Sequence, residues 1–215
     1  FKQPTRPHQH WHVDFSYFKI GGVFYYFIGI LDGYSRAILA WDLRAKMEER
    51  DAEHVIQMAK ELYPHAKPRI ISDQGSQFRS GDFTRFVELI EATHVMTSPH
   101  YPQSNGKIER FHKTLKEYAY SKSPMDWEDG KRIIAEMIEY YNGERLHSAI
   151  DYVTPLQCLT GERDAIVSER QEKHREAVKK RIAYWSEKTL EERASYAEMN
   201  GLEKAEATRA EERVV

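Results

Sequence analysis

Three acidic side chains occupy positions where acids do chemistry more readily than they do packing. Asp14 lies inside the apolar and aromatic run WHVDFSYF (11–18), between Val13 and Phe15. Asp73 follows the short run RIIS (69–72) directly and precedes a glycine turn in SDQGSQF. Glu109 opens a segment of helical spacing just past the loop-forming string PQSNG (102–106), with Lys113 and Lys116 on its helical face. Taken singly, each has an ordinary reading: a strand-edge acid, a turn former, a first-turn helix carboxylate. Asp14 is the least ordinary, because a carboxylate in mid-strand is costly to bury unless it is paired or metal-bound. Two carboxylates pressed together repel unless one keeps a proton or a cation neutralises them. A pair of hard divalent cations with oxygen ligands does this and supplies chemistry as well. No serine or tyrosine stands out as a covalent nucleophile.

The elements that must position these acids follow from periodicity. Residues 11–20, 23–31 (VFYYFIGIL) and 37–43 (AILAWDL) read as strands, joined by turns at Gly21-Gly22 and DGYSR (32–36). Short turns make them an antiparallel meander, with Tyr25, Tyr26 and Phe27 as sheet core. Residues 51–63 show helical spacing, with Val55, Ile56, Met58, Ala59 and Leu62 on one side, and Pro64 and Pro68 close the segment. RIIS (69–72) is a short buried strand. Residues 82–92 form a second helix with Asp82 as its N-cap, and THVMTS (93–98) is a fifth strand. A long helix from about 105 to 121 and another over 125–142, capped near Asp126, complete the set. That order predicts an α/β fold, a mixed five-stranded sheet flanked by helices. In such a sheet the first and fourth strands are commonly neighbours, which brings Asp14 and Asp73 to one edge.

Composition bounds the rest. The chain has 215 residues, room for one domain and an appendage. Apolar residues make up 40%, and the shortfall lies mostly beyond residue 162, where a Glu/Lys/Arg/Ala-rich stretch reads as a charged helical extension, partly disordered without a partner. The single cysteine, Cys158, excludes a disulfide framework and fits a reducing compartment. No apolar run approaches the roughly 18 residues needed to cross a bilayer. The net charge of −2 comes from 32 Lys/Arg and 34 Asp/Glu, so bulk charge offers no basic footprint for a polyanion. The chain opens at Phe1 in a Pro/His-rich stretch, which we read as a fragment whose upstream domains are missing.

The acids and their flanking strings carry a family resemblance. Thirty-five residues lie between Asp73 and Glu109, and SDQGSQF (72–78), SPHYPQSNGKIER (98–110) and YNGERLHSAIDYVTP (141–155) surround them. Over residues 8–160 the chain resembles the catalytic core of DDE transposases and retroviral-type integrases, especially bacterial insertion-sequence transposases with a D,D(35)E signature. The resemblance implies an RNase H-like fold, Asp14, Asp73 and Glu109 as catalytic acids, and two Mg²⁺ ions for which Mn²⁺ can substitute. Asp14 would bridge both ions, Asp73 would hold one and Glu109 the other. It implies cleavage at transposon DNA ends and transfer of the freed 3′-hydroxyl into target DNA, by a homo-oligomer on DNA in a bacterial cytoplasm, with no membrane. Lys113, Lys116, Lys107, Tyr101 and Gln103 would hold the DNA end, with a hinge at 99–106 that swings Glu109 in.

Other signals read more plainly. His8, His10 and His12 form H-x-H-x-H, a possible transition-metal face. With no fourth ligand nearby, it reads as a strand face or a DNA contact. His112, three residues after Glu109, reads first as surface packing and second as a support for the acids. Arg145 and His147 read as structural or DNA-positioning, although the family's Arg-Pro-His is Arg-Leu-His here. Three rival readings stand beside the first. Another RNase H-like nuclease would cut without joining. An inactive DNA-binding relative is disfavoured by the presence of all three acids. A glycosidase with two carboxylates about 5–9.5 Å apart leaves the 35-residue interval unexplained.

Overall fold

The structure, a computed structural model, describes residues 2–48, 50–97 and 105–211. It divides into two compact units, residues 1–163 and 164–215.

In the first unit, β1 (His10–Ile20), β2 (Val23–Asp32) and β3 (Ile38–Arg44) form the antiparallel meander. Gly21 and Gly22 make its first turn with φ of +55° and +85°. A Cβ at Gly21 would sit 2.4 Å from the carbonyl oxygen of Met125, so this position admits only glycine. The second turn hangs on Asp32, which is fully buried. Its carboxylate accepts from the backbone N–H groups of His8 (2.7 Å), Tyr34 (3.2 Å) and Ser35 (2.7 Å) and from the Ser35 hydroxyl (2.8 Å). Asp32→Ala leaves those buried donors unpaired at about 1–3 kcal/mol each. We expect a loss of at least ~3 kcal/mol in urea unfolding; a loss below ~1 kcal/mol would show that water replaces the carboxylate.

α1 (Asp51–Leu62) crosses to β4 (Arg69–Ser72), which pairs parallel with β1; α2 (Gly81–Leu89) leads to β5 (Thr93–Met96), parallel with β4. The sheet order is β3-β2-β1-β4-β5. α3 (Gly106–Ser121), α4 (Trp127–Gly143) and the short α5 (Pro155–Leu159) follow. The period-two alternation of β1 divides the core. Trp11 and Val13 pack with Val55 and Ile56 of α1 and Phe83 and Val87 of α2. Phe18 and Ile20 pack on the other face with Phe27, with Ile108, Phe111 and Leu115 of α3, and with Ile134 and Met137 of α4. Each such fully buried side chain contributes about 1.5–3 kcal/mol.

Local details differ from the sequence reading. The second helix starts earlier and is capped by Ser80, whose Oγ accepts from Phe83 N at 3.1 Å. Asp82 lies in the first turn, where a carboxylate favours the helix dipole. Leu62 is 65% exposed, because the last turn of α1 runs past the sheet. Only Phe27 of the Tyr25-Tyr26-Phe27 run is core; the tyrosines are half-buried. Asp126 does cap α4, accepting from Asp129 N at 2.9 Å.

The second unit is one helix, α6 (Arg163–Glu211), with Ile182, Tyr184, Trp185 and Leu190 exposed. Among the described residues no helix is long and apolar enough to cross a membrane.

Candidate active site

Strand register places the first two acids. β1 and β4 pair His10 with Arg69, Trp11 with Ile70 and His12 with Ile71. Two further steps along both strands set Asp14 level with Asp73, and the pleat puts them on the same face. On the other side Asp14 pairs with Gly29 of β2, which has no side chain to crowd it. Asp73, just past β4, is exposed, and its Oδ1 accepts from Gly75 N at 3.0 Å, closing the glycine turn. Glu109 stands exposed in the first turn of α3, the helix packed over the Asp14 face of β1.

The electrostatics record this convergence. The Asp14 side chain is 16% exposed. Burial, then the Asp73 carboxylate, push its pKa up to about 7. Glu109 adds to the rise, while the Phe15 N–H, donating at 2.9 Å, and Lys116 oppose it. His112 Nδ1 lies 3.6 Å from Asp14 Oδ2. Burial and then Lys116 hold this imidazole down at about 3, so it is neutral, and the contact is not an ion pair at neutral pH. Asp14 therefore has carboxylates on two sides and no cation bonded to it. Lys116 Nζ sits instead over the Tyr17 ring, 4.8 Å from its centroid. Among the described residues no three His, Cys, Asp or Glu side chains lie close enough to enclose an ion. The donor chemistry nonetheless fits a hard divalent cation: three carboxylates, one of them driven toward protonation by its neighbours.

Beside the acids runs a groove of about 460 Å³ lined by Ser16, Glu109, His112, Lys113, Lys116, Glu117 and Tyr120. Lys113 and Lys116 thus share the Glu109 face, as their spacing predicts; Lys113 Nζ is 3.9 Å from Glu117. Lys107 does not share it. Its ammonium turns inward and donates to the Gly33 carbonyl at 2.8 Å. Tyr101, Gln103 and most of the 99–106 hinge lie outside the described residues.

For His112 the structure favours the secondary reading, a role beside the acids, over surface packing. It is buried, not on the surface, and touches Asp14. The signal was present, since Ile108, Phe111, His112, Leu115 and Ala119 form the buried stripe of α3. The H-x-H-x-H run is not one strand face: His8 precedes β1 with φ +61° and packs on Tyr63, while His12 is fully buried. Arg145 stacks over Tyr141, and His147 Nδ1 accepts from Ala149 N at 3.3 Å.

Comparison with known proteins places this architecture. Two family descriptions, both "Integrase core domain", match residues 4–102 and 91–155. The chain is 29% identical over 157 residues to the transposase for insertion sequence element IS904 of Lactococcus lactis, covering 70% of this chain and 61% of that protein. It is 27% identical over 155 residues to the putative transposase InsK of IS150 from Escherichia coli, covering 71% and 55%. An insertion element IS136 protein of Agrobacterium fabrum is 34% identical over 138 residues, 60% of this chain and 71% of that protein. The chain thus spans little more than half the length of the first two relatives. Among solved structures, the HTLV-2 integrase catalytic core domain, determined in complex with magnesium, superposes with a TM-score of 0.59 at 19% identity, covering 72% of this chain and 97% of that one. A chain of the simian T-cell lymphotropic virus intasome, determined in complex with PP2A regulatory subunit B56 gamma, superposes with a TM-score of 0.66 at 17% identity, covering 74% and 56%. The mixed sheet flanked by helices is the RNase H-like fold of integrase catalytic cores, and the chain belongs to the integrase core domain family of transposases and integrases.

Proposed function

We propose that residues 8–160 are the catalytic core of a DNA transposase, which cleaves the ends of its element and joins the freed 3′-hydroxyl to target DNA, and that residues 161–215 are a helical extension. The observation that carries this reading is the parallel β1–β4 register, which sets Asp14 beside Asp73 with Glu109 on the helix above. Asp14 would hold two divalent ions, Asp73 one of them and Glu109 the other. Mg²⁺, or Mn²⁺ in its place, supplies Lewis acidity at the scissile phosphate and an activated oxygen nucleophile for in-line displacement. The protein's own groups do the rest. Lys113 and Lys116 neutralise backbone phosphates along the groove, and Tyr101 and Gln103 hold the DNA end. His112 keeps Asp14 turned toward the groove and excludes water from one side of it. The partners are element ends and target DNA, bound by a homo-oligomer in a bacterial cytoplasm.

The test is a strand-transfer assay with the full-length protein and its own element ends. Joined product is expected with Mg²⁺ or Mn²⁺ and none in EDTA. Cleavage without joining would favour the nuclease reading, and joining without a divalent ion would overturn the proposal. For the groove, Lys113→Ala with Lys116→Ala should lower the log–log salt slope of DNA binding by about two, close to one counterion per phosphate contact. An unchanged slope, measured by fluorescence anisotropy, removes both lysines from the DNA face.

A further inference from the structure

A second cavity, of about 290 Å³, lies in the first unit and shares no residue with the groove beside the acids. Its charged lining is entirely positive: Arg36 from the β2–β3 turn, Lys107 and Arg110 from α3, and Arg145 from the end of α4, joined by His147 and Tyr141. On α3, positions 106, 107, 110, 111 and 114 line this cavity, whereas 109, 112, 113, 116, 117 and 120 line the groove. At 100° per residue the two sets centre on different faces of the helix. The same helix therefore presents two carboxylates, Glu109 and Glu117, and two lysines to one cavity and a separate cation cluster to the other.

Four like charges converging on one cavity repel one another unless an anion sits among them. Among the described residues no Asp or Glu lines it. The nearest carboxylate that acts on Arg36 and Lys107 is Asp32, whose oxygens already take three donors of the β2–β3 turn and the His8 N–H. Arg36 adopts a left-handed backbone, φ +70°, uncommon for a residue with a side chain. Its Nη1 is buried and has no hydrogen-bond partner among the described residues. A buried, unpaired guanidinium donor is costly. The three guanidiniums line one cavity with His147, and after burial their charges depress its pKa.

We propose that this cavity is an oxyanion site that takes a phosphate group, held by Arg36, Arg110 and Arg145 with the Lys107 ammonium behind them. Guanidinium forks match phosphate oxygens in geometry and charge. The source of the phosphate, under the transposase reading, is the polynucleotide backbone on a different face of α3 from the reacting end. Free phosphate ion shares the chemistry, and the test separates the two.

Both arms use the intact 215-residue chain in EDTA, so neither depends on metal chemistry or on strand transfer. In the first, thermal unfolding is followed against inorganic phosphate, with chloride at matched ionic strength as reference. Phosphate should stabilise the wild type saturably. Arg110→Gln with Arg145→Gln should bind phosphate roughly tenfold more weakly, while Arg110→Lys with Arg145→Lys retains most of the effect. In the second arm, anisotropy of a labelled duplex is measured against salt. If a backbone phosphate fills the site, the Gln pair lowers the log–log slope by about one. A phosphate effect lost with the slope unchanged assigns the site to free phosphate and detaches it from DNA. No stabilisation by phosphate beyond chloride, together with an unchanged slope, overturns the proposal. Circular dichroism checks folding of the pair, and Arg110→Gln alone, at an exposed position, serves if the pair does not fold.

Discussion

Asp14→Asn, Asp73→Asn and Glu109→Gln should each reduce end cleavage and strand transfer at least about a thousandfold while leaving the protein folded. Each change keeps the side chain's volume and removes one negative charge. Losing one charged ligand weakens the hold on a cation that is asked to supply several kcal/mol of transition-state stabilisation, and every 1.4 kcal/mol is tenfold in rate. The structural cost is small at Glu109 and Asp73, because both are exposed. Glu109→Gln forfeits only a first-turn dipole interaction, about 0.3–1 kcal/mol. Asp73→Asn keeps an acceptor for the Gly75 N–H. Activity and stability should therefore separate cleanly. A Glu109→Gln protein that joins DNA at the normal rate would refute the assignment.

The second large effect concerns metal-free stability. Folding takes the Asp14 carboxyl from an ordinary 3.8 to about 7. Below about pH 4 the group is protonated in both states and costs nothing. As pH rises, the unfolded chain ionises first, so the folded state loses relative stability until the full penalty is reached above pH 7, up to ~4 kcal/mol. Asp14→Asn escapes that penalty. In EDTA at pH 8 the variant should melt higher than the wild type, and at pH 4 the two should converge. His12 and His112 work in the opposite sense: both are held neutral at about 3, so their contribution is present above pH 6.5 and lost as pH falls. The difference between variant and wild type cancels them. Mg²⁺ should raise the wild-type melting temperature at pH 8 far more than at pH 5, where protons compete for the carboxyl, and should leave Asp14→Asn nearly unmoved. Parallel melting curves for the two proteins from pH 4 to pH 8 would sink the electrostatic account of the site.

The two effects bear on one arrangement from different sides. The carboxyl that costs most in the free protein is the one that lies deepest, between two others. Its cost is relieved by a cation and by little else in the fold, since Lys116 is turned to the Tyr17 ring. Under the proposed function the groove face of α3 would take metal and DNA together, while another face of the helix meets the guanidinium cluster.

Much of this was legible in the linear chain, because it depends on local periodicity. The alternation of WHVDFSYF made β1 a strand with Asp14 in its middle, and the glycine pair ended it where the structure ends it. The helical stripe of α1, the Asp126 cap and the placement of Lys113 and Lys116 on the Glu109 face are all short-range facts. The 35-residue interval and its flanking strings pointed to the family. What was read wrongly turned on surroundings. Leu62 fitted the apolar stripe of α1 but overhangs the sheet, and Ser80 displaced Asp82 as a cap because its extended backbone aimed the hydroxyl at Phe83 N. Lys107 stands about 160° around the helix from Glu109 and meets a different cavity from Lys113 and Lys116, a separation that depends on which elements pack around α3.

From the chain alone came the types of the elements, their order, and the three acids with their spacing, since these follow from side-chain periodicity and residue chemistry within a few turns. Only packing decided that Asp14 lies level with Asp73, that His112 is pressed against it, and that Arg36, Arg110 and Arg145 meet around one cavity. Those are distances between segments remote in sequence, set by strand register and by which helix face the sheet buries, and no local pattern encodes them.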